Sequence, residues 1–320
     1  MKRKLVALLV AILTISLVLV GCGAKTPDKT TNGTTPVKKI KIGLSMNTLN
    51  NPFFVAVKEG AEAEAKAEGI ELVVTDAQNN PSQQLADVEN LIQQKPDILI
   101  LDPADSDAIV EGVKKANTAK IPVFTIDREA SGGEVLTHIG FDAIKSGTIA
   151  GEALAKILNG KGSVVEIQGI MGTNVARDRS KGFNLAMAKY PDIKIIAKQT
   201  ANFDRGQALN VMENILQANP VIDGVYAAND EMAMGALAAM DSSGRTSKIK
   251  LIGCDAIDPA IAAIKSGKMA ATIAEPPFFL GKEAIKTAMK ISKGEKVEKS
   301  VILGSTLVTK ENVDTVKTRD

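Results

Sequence analysis

From Lys39 onward, the chain alternates short apolar runs rich in β-branched residues with longer Ala-rich stretches. The runs have the length of single strands, and they are continuous in hydrophobicity rather than alternating. This pattern is typical of strands that are buried on both faces of a parallel sheet. Ten such runs are found at 40–46, 70–75, 97–101, 121–126, 136–139, 163–167, 193–197, 224–228, 250–253 and 270–274.

The stretches between the runs have helical spacing, as in Phe54, Val57 and Ala61. Helix starts are marked by Asn51-Pro52 and Asp258-Pro259, where a capping residue precedes a proline at the first helical position. Strands that alternate with helices predict βαβ units. Ten strands are too many for one compact open sheet, so we predict an α/β fold with two doubly wound, Rossmann-like lobes. An eight-stranded (β/α) barrel is the alternative architecture.

The N-terminal segment has the features of a secretory signal. Three basic residues at 2–4 precede an apolar run of 16 residues at 5–20. A helix needs about 20 residues to span a bilayer, so this run is too short to be a standard membrane anchor. We predict a signal peptide at 1–21. Residues 22–37 are rich in Thr, Lys and Gly without an apolar period, which predicts a flexible tether.

The signal ends in Leu19-Val20-Gly21-Cys22, which resembles a bacterial lipobox. The resemblance implies cleavage before Cys22 and attachment of a diacylglycerol to that residue. Two acyl chains would hold the protein on the extracytoplasmic face of the cell membrane, since one chain alone binds only marginally. The alternative is an uncleaved anchor in which Cys22 has no role.

The composition excludes several classes of function. Among 320 residues, 39 are basic and 37 acidic, so no basic surface for nucleic acid is expected. One His and two Cys argue against a zinc site and against a disulfide framework. The glycine-rich phosphate-binding motifs of nucleotide sites are missing from the sequence. We therefore predict no cofactor and no metal.

Polar side chains follow the ends of several predicted strands. Ligands of open α/β sheets bind beyond the carboxyl ends of the strands, so these residues are candidates for a site. They combine carboxylates, amides and guanidinium groups with phenyl rings, a set that suits the hydroxyls and C–H faces of a sugar. Each residue alone also fits a cap or a turn. The candidate ligand-binding residues are Asn47, Asn51, Phe53, Phe54, Asp102, Asp127, Arg128, Phe141, Arg177, Phe203, Asn229, Asp255 and Glu275.

An enzyme is a weaker interpretation. His138 lies within an apolar run, which favours a core position. Cys254 has no evident His partner and is predicted to be a small buried hydrophobe rather than a nucleophile. Two of the carboxylates could in principle cleave a glycoside. The Arg and Asn residues beside them fit static binding better, so we predict that the protein is not an enzyme.

Several segments resemble ribose-type periplasmic sugar-binding proteins, and the similarity runs in one register over about residues 38–310. The segments are Asn47 to Phe54, Asp105 to Ala108, Ile121 to Val123, Ile126 to Arg128, Ala176 to Arg179, Phe203 to Arg205, Asn229 to Ala233 and Met269 to Ala274.

The resemblance implies two lobes joined by three crossovers, with a sugar bound between them. Lobe 1 would comprise 38–141 and 276–304, and lobe 2 would comprise 142–275 and 305–320. Phe53, Phe54 and Phe203 would sandwich the sugar ring, while polar candidates fix its hydroxyls. The implied partners are the permease subunits of an ABC importer, with a monomeric binding protein. A sugar-sensing receptor for chemotaxis or a sensor kinase is the alternative, because both would use the same closed form.

Four positions depart from the ribose pattern. Asn47 and Phe141 stand where serines are expected, Asp102 replaces an Asn, and Glu275 replaces a Gln. An amide both donates and accepts hydrogen bonds, whereas an ionised carboxylate only accepts. The departures therefore predict that another monosaccharide or a cyclic polyol binds better than ribose. The competing possibility is that these side chains point away from the ligand.

Overall fold

The computed structural model describes residues 39–316. The predicted signal peptide, the tether and Cys22 lie outside the described residues. The strands are β1 (Lys41–Met46), β2 (Glu71–Asp76), β3 (Ile98–Leu101), β4 (Val123–Ile126), β5 (His138–Phe141), β6 (Lys161–Gln168), β7 (Asp192–Thr200), β8 (Gly224–Ala227), β9 (Lys250–Asp255), β10 (Ala271–Ala274), β11 (Ser300–Leu303) and β12 (Thr306–Thr309).

Helices connect most of these strands. They are α1 (Pro52–Ala67), α2 (Pro81–Gln93), α3 (Val110–Thr118), α4 (Ala143–Ile157), α5 (Asn174–Met187), α6 (Arg205–Ala218), α7 (Asp230–Ser242), α8 (Asp258–Lys265) and α9 (Pro277–Ser292). Among residues 39–316, none of the helices has both the length and the apolarity needed to cross a bilayer.

The strands form two six-stranded sheets. The first has the order β11-β5-β4-β3-β1-β2 and is entirely parallel. The second has the order β12-β10-β9-β8-β6-β7, and only its edge strand β12 is antiparallel. Each sheet with its helices is one lobe. The predicted pair of doubly wound lobes is confirmed, and the barrel alternative is wrong.

Each lobe is built on strands buried from both sides. In β3, Ile98 and Ile100 face a core shared with α1 and α9, whereas Leu99 and Leu101 face a second core with α2 and α3. Successive side chains of a strand point to opposite faces, so a continuous apolar run is what a sheet covered on both faces requires.

The chain passes between the sheets three times, after β5, after β10 and after β11. The first crossing leads into α4, where Asp142 caps the helix by accepting the Lys145 N–H. Helices α4 and α5 then pack closely. A Cβ at Gly147 would lie 2.0 Å from the carbonyl oxygen of Arg179, so only glycine allows this approach. The contact brings one face of α5 against the crossing segments.

The lobes are joined by direct hydrogen bonds at the rim of the cleft between them. Ser106, of the first lobe, donates its N–H to the Gly172 carbonyl at 3.1 Å, and its Oγ accepts the Asn174 N–H at 3.1 Å. The Asn174 side chain in turn accepts the Glu129 N–H at 2.9 Å. These bonds require the two lobes to be in contact, so the structure is the closed arrangement.

Candidate functional site

A cavity lies between the two lobes, with about 270 Å³ of empty space that includes part of its opening to solvent. Both lobes contribute side chains, and the wall is polar and aromatic. The lining residues are Asn51, Phe53, Phe54, Asp127, Arg128, Val175, Arg179, Phe203, Asn229 and Asp255.

These residues come from the carboxyl ends of strands and the amino ends of helices. Asp127 and Arg128 directly follow β4, and Asp255 ends β9. Asn51 caps α1 by accepting the Phe53 N–H at 2.9 Å, and Asn229 caps α7 in the same way. Because parallel strands end at the same edge of each sheet, the two edges bring these groups together across the cleft.

Three lining residues have a left-handed backbone although none is glycine. The φ angles are 54° for Asp127, 59° for Phe203 and 118° for Asp255. A residue held in such a conformation costs about 1–3 kcal/mol, and such strain concentrates at functional sites. The backbone at the cavity is therefore held by the surrounding packing rather than by local preference.

The aromatic side chains surround a guanidinium group. The Cζ of Arg128 lies 5.2 Å from the centre of the Phe54 ring and 5.4 Å from that of Phe203. Phe53 contacts Phe54 edge to face, with the ring centres 5.2 Å apart. The rings hold Arg128 in place, and they offer apolar surfaces to the C–H face of a ligand.

Arg179 is the centre of a buried ion cluster. Its Nη2 donates to Glu275 Oε2 at 2.5 Å and to Asp255 Oδ1 at 3.4 Å, while Nη1 donates to the Ala228 carbonyl at 2.7 Å. Burial alone would lower the pKa of Arg179, but the carboxylates and Cys254 around it hold that pKa well above its ordinary value. The side chain is thus a fixed cation in the cavity wall.

Glu275 joins this cluster to the crossing segments. Its Oε1 accepts the Ser146 hydroxyl at 2.5 Å and the Ser305 hydroxyl at 3.4 Å. Glu275 itself lies at the second crossing, Ser146 in the first turn of α4, and Ser305 at the third crossing. One carboxylate therefore contacts all three places where the chain changes lobe.

Asn47 and Asp102, two of the departures from the ribose pattern, contact each other. Asn47 Nδ2 donates to Asp102 Oδ2 at 2.8 Å, and both side chains are fully buried. Burial, reinforced by the nearby Asp127 charge, raises the pKa of Asp102 well above its ordinary value. The two changes are therefore matched, because the amide supplies a donor that the carboxylate needs.

Arg177, a predicted site residue, does not line the cavity. Its side chain is exposed and donates to the Met171 carbonyl, whereas Arg179 lines the cavity. Two residues along a helix correspond to a rotation of about 200°, so the neighbouring arginines face opposite sides. The sequence held a signal for this, since Arg179 lies three positions after the apolar Ala176 on the buried face of α5.

The other predicted residues divide into two groups. Eight of the thirteen line the cavity: Asn51, Phe53, Phe54, Asp127, Arg128, Phe203, Asn229 and Asp255. Four are buried but do not line it: Asn47, Asp102, Phe141 and Glu275. Their direct contact with a ligand stays a prediction. Val175 and Arg179 are lining residues that the sequence interpretation missed.

Neither His138 nor Cys254 has the surroundings of a catalytic group. His138 is buried and shares a hydrogen bond with Thr125 Oγ1, and Cys254 is a buried free thiol whose pKa is raised by burial. Cys254, Asp255 and Glu275 lie close enough to suggest a metal cluster. The Arg179 guanidinium already pairs with both carboxylates, so a second cation there would be repelled.

Two buried donors in the cavity wall lack an acceptor. Among residues 39–316, the Nε atoms of Arg128 and Arg179 make no hydrogen bond. The nearest carboxylate to the first is Asp127 Oδ2, at 3.8 Å, which is too long for one. Buried polar groups almost always have a partner, so both donors are available to a ligand oxygen.

The buried acids predict a pH dependence of stability. Burial raises the pKa of Asp127 from 3.8 to about 6 and that of Asp230 to about 7, whereas burial lowers the pKa of His138 from 6.5 to about 4. The two acids contribute to the free energy of unfolding in full below pH 3.8, and this contribution is lost as the pH rises through 6 and 7. The contribution of His138 is present above pH 6.5 and is lost as pH falls toward 4.

As the pH falls from 7 to 5, the folded protein binds protons at Asp127 and Asp230. The unfolded chain binds a proton only at His138 among these three groups, so the folded state takes up more protons than the unfolded one. The free energy of unfolding is therefore expected to rise as the pH falls over this range. Urea unfolding at pH 7, 6 and 5 measures it, and Asp230→Asn should show a smaller rise than the native sequence. A free energy of unfolding that falls from pH 7 to pH 5 would contradict the assignment.

Comparison with known proteins agrees with this geometry. Residues 42–296 match a family described as periplasmic binding protein domain. The ribose import binding protein of Escherichia coli K12 is 45% identical over 273 residues, which cover 85% of this chain and 92% of that protein.

Two solved structures have closely similar folds. One is an ABC transporter periplasmic solute binding protein from Actinobacillus succinogenes 130z with bound D-allose, at 36% identity and a TM-score of 0.82, covering 87% of this chain and all of that one. The other is the Caulobacter myo-inositol binding protein bound to myo-inositol, at 34% identity and a TM-score of 0.84, covering 88% and 96%. Each is a binding protein by its own description.

Proposed function

Because this chain belongs to the periplasmic binding protein domain family, we propose that it captures a monosaccharide or related polyol between its lobes and delivers it to an ABC importer. It acts as a monomer outside the cytoplasm and catalyses no reaction. The three relatives described above are named for, or bound to, ribose, D-allose and myo-inositol, and each of these three is a small polyhydroxylated ring.

The observation that carries the proposal is the chemistry of the cavity wall. Arg128 and Arg179, whose buried Nε donors have no acceptor among residues 39–316, line the cavity together with Asp127 and the rings of Phe53, Phe54 and Phe203. The hydroxyl groups of a sugar can accept hydrogen bonds from the guanidinium groups and donate to the Asp127 carboxylate, while the phenyl rings cover its C–H faces. Both guanidinium groups already have acidic neighbours, Asp127 beside Arg128 and Glu275 with Asp255 beside Arg179, so a neutral ligand is favoured over an anion.

A ligand other than ribose is expected to bind most tightly. The side chains around the cavity differ from the ribose pattern in two buried pairs, Asn47 with Asp102 and the lining residue Arg179 with Glu275. Asp102 accepts from the Asn47 amide, and Glu275 accepts from the Arg179 guanidinium. These two donors are therefore not free to bind a ligand, and the set of donors and acceptors offered to it differs from the ribose pattern. A mismatched buried polar group costs about 1–3 kcal/mol, which is a preference of roughly five- to 150-fold.

Calorimetric titration tests both parts of the proposal. D-Ribose, D-allose, other pentoses and hexoses, and the inositols are titrated separately, after a thermal-shift screen in which a ligand at 100 times its Kd adds about 2.7 kcal/mol of stability. A sugar or polyol that binds with 1:1 stoichiometry supports capture. Ribose as the tightest ligand by tenfold would contradict the specificity, and failure of every sugar and polyol to bind would contradict the function.

The hydrogen bonds between the lobes are expected to contribute to affinity. Ser106→Ala and Asn174→Ala each remove a bond that exists only in the closed form, worth about 0.5–1.5 kcal/mol. We expect the Kd to rise roughly two- to tenfold by calorimetry. Asn117→Ala is the control, because its side-chain bonds lie within one lobe. Equal affinities in all three variants would rule out this contribution.

We also propose that the protein is anchored to the membrane through a lipid on Cys22. The support is the signal-like segment at 1–21 and the lipobox resemblance of residues 19–22. In a bacterial host, Cys22→Ala is expected to abolish labelling by a radioactive fatty acid and to leave an unprocessed precursor. Normal cleavage with retained label in Cys22→Ala would overturn the anchor without affecting the sugar-binding proposal.

A further inference from the structure

Asp230 is a fully buried carboxylate that does not line the cavity. It begins α7, directly after the cavity residue Asn229. Its Oδ1 accepts the Thr272 hydroxyl at 2.7 Å, and its Oδ2 accepts the Ile257 N–H at 3.1 Å. The Ala256 N–H also interacts with this carboxylate. Asp230 therefore joins α7 to β10 and to the segment that follows β9.

The segment held by Asp230 carries the cavity residue Asp255. Asp255 and Ala256 are consecutive non-glycine residues in a left-handed backbone, with φ angles of 118° and 59°. Such a conformation persists only where surrounding groups hold it. Asp230 accepts hydrogen bonds from the backbone N–H groups of Ala256 and Ile257, directly after Asp255.

The sequence of β9 is adapted to this side chain. A Cβ at Gly253 would lie 2.0 Å from Asp230 Oδ1, so a larger residue would displace the carboxylate. Gly253 pairs with Thr272 of β10, which donates to the same oxygen. Space and a donor are thus provided for Asp230 by two neighbouring strands.

We propose that Asp230 is a positioning residue for ligand capture, which holds the Asp255 carboxylate in its orientation toward the cavity and Arg179. It acts through Asp255 rather than by touching the ligand. The part that concerns affinity rests on the proposed function, because Asp255 lines the proposed sugar site. The part that concerns the backbone of residues 255–257 does not.

A double-mutant cycle tests whether Asp230 acts through Asp255. Asp230→Ala, Asp255→Gly and the double variant are titrated with D-ribose, D-allose and myo-inositol. Glycine removes the carboxylate and tolerates the left-handed backbone. We expect Asp230→Ala to weaken binding at least tenfold alone, and less than twofold in the Asp255→Gly background. Equal losses in both backgrounds would overturn the proposal.

Asp241→Ala is the matched control, since Asp241 lies on the same helix but is exposed and pairs with Lys268. It should leave affinity unchanged. If Asp230→Ala does not fold, Asp230→Asn replaces it, because the amide keeps one acceptor oxygen and should give an intermediate loss. An Asp230→Asn protein with native affinity would also overturn the proposal.

A measurement without ligand separates this inference from the proposed function. Hydrogen exchange of the Ala256 and Ile257 amides should accelerate at least tenfold in Asp230→Ala or Asp230→Asn relative to Asp241→Ala. Unchanged exchange would overturn the positioning role whether or not any sugar binds. If exchange accelerates but the native chain binds none of the three probes, the choice of ligand fails and the positioning of Asp255 stands.

Discussion

Arg179→Ala is expected to lower the free energy of unfolding by about 3–5 kcal/mol, because it leaves buried carboxylates without their cation. Glu275 and Asp255 both pair with the Arg179 guanidinium, and each is at least 95% buried. The loss should be accompanied by loss of ligand binding, since Arg179 also lines the cavity. Urea unfolding at pH 7 measures the first effect and calorimetry the second.

Arg177→Ala is the control for this experiment. It lies on the same helix, two residues away, but its side chain is exposed and makes one bond to a backbone carbonyl. Its effect on stability should stay within about 0.5 kcal/mol, as for most surface substitutions. Adding Glu275→Gln to Arg179→Ala should restore part of the stability by removing an unpaired charge. Similar losses for Arg177→Ala and Arg179→Ala would refute the ion cluster.

Asp127→Ala is expected to weaken ligand binding at least tenfold while the protein stays folded. A hydrogen bond to a charged group contributes about 1.5–3 kcal/mol. Within residues 39–316, the only ion pair of the Asp127 side chain is the 3.8 Å contact with Arg128, which competes weakly with a ligand hydroxyl. The titration should be made at pH 8, well above the pKa of about 6. The expected loss is then that of an ionised acceptor.

Two variants isolate the cause of this loss. Asp127→Asn keeps the size and tolerates the φ of 54°, so it separates the charge from backbone strain. Asp107→Ala removes an exposed acid of the same lobe and should change the Kd less than twofold. A folded Asp127→Ala protein that binds its sugar with native affinity would remove Asp127 from the site.

The local sequence was sufficient to predict most of the strands. Each of the ten predicted strands overlaps an observed one. The central strands give the clearest signal, because continuous apolar runs are needed where both faces of a sheet are covered. The run at 136–139 is displaced, since β5 spans His138–Phe141. Strands β11 and β12 were missed, because they are short and only partly buried and so lack a continuous apolar signal.

The residue types of the site could also be recognised from sequence, because a capping residue at a helix start or a polar residue after a strand has a fixed place in an α/β lobe. Which side chain points into the cleft was decided by the fold. Arg177 and Arg179 are the same residue type two positions apart, and the packing of α5 against α4 at Gly147 places Arg179 on the buried side. The helix face depends on partners distant in the chain.

The two lobes, most of their strands and helices, and most of the residues that line the cleft could be predicted from the sequence, since they follow from hydrophobic period and capping over a few neighbouring positions. The pairing of the buried charged groups could not be predicted in this way and depends on the folded arrangement. Glu275 meets Ser146 across 129 positions and Arg179 across 96. No local pattern encodes such a contact, because the partners are brought together only when α4, α5 and the end of β10 pack against one another in the second lobe. A buried carboxylate then pairs with the donors that this packing places beside it.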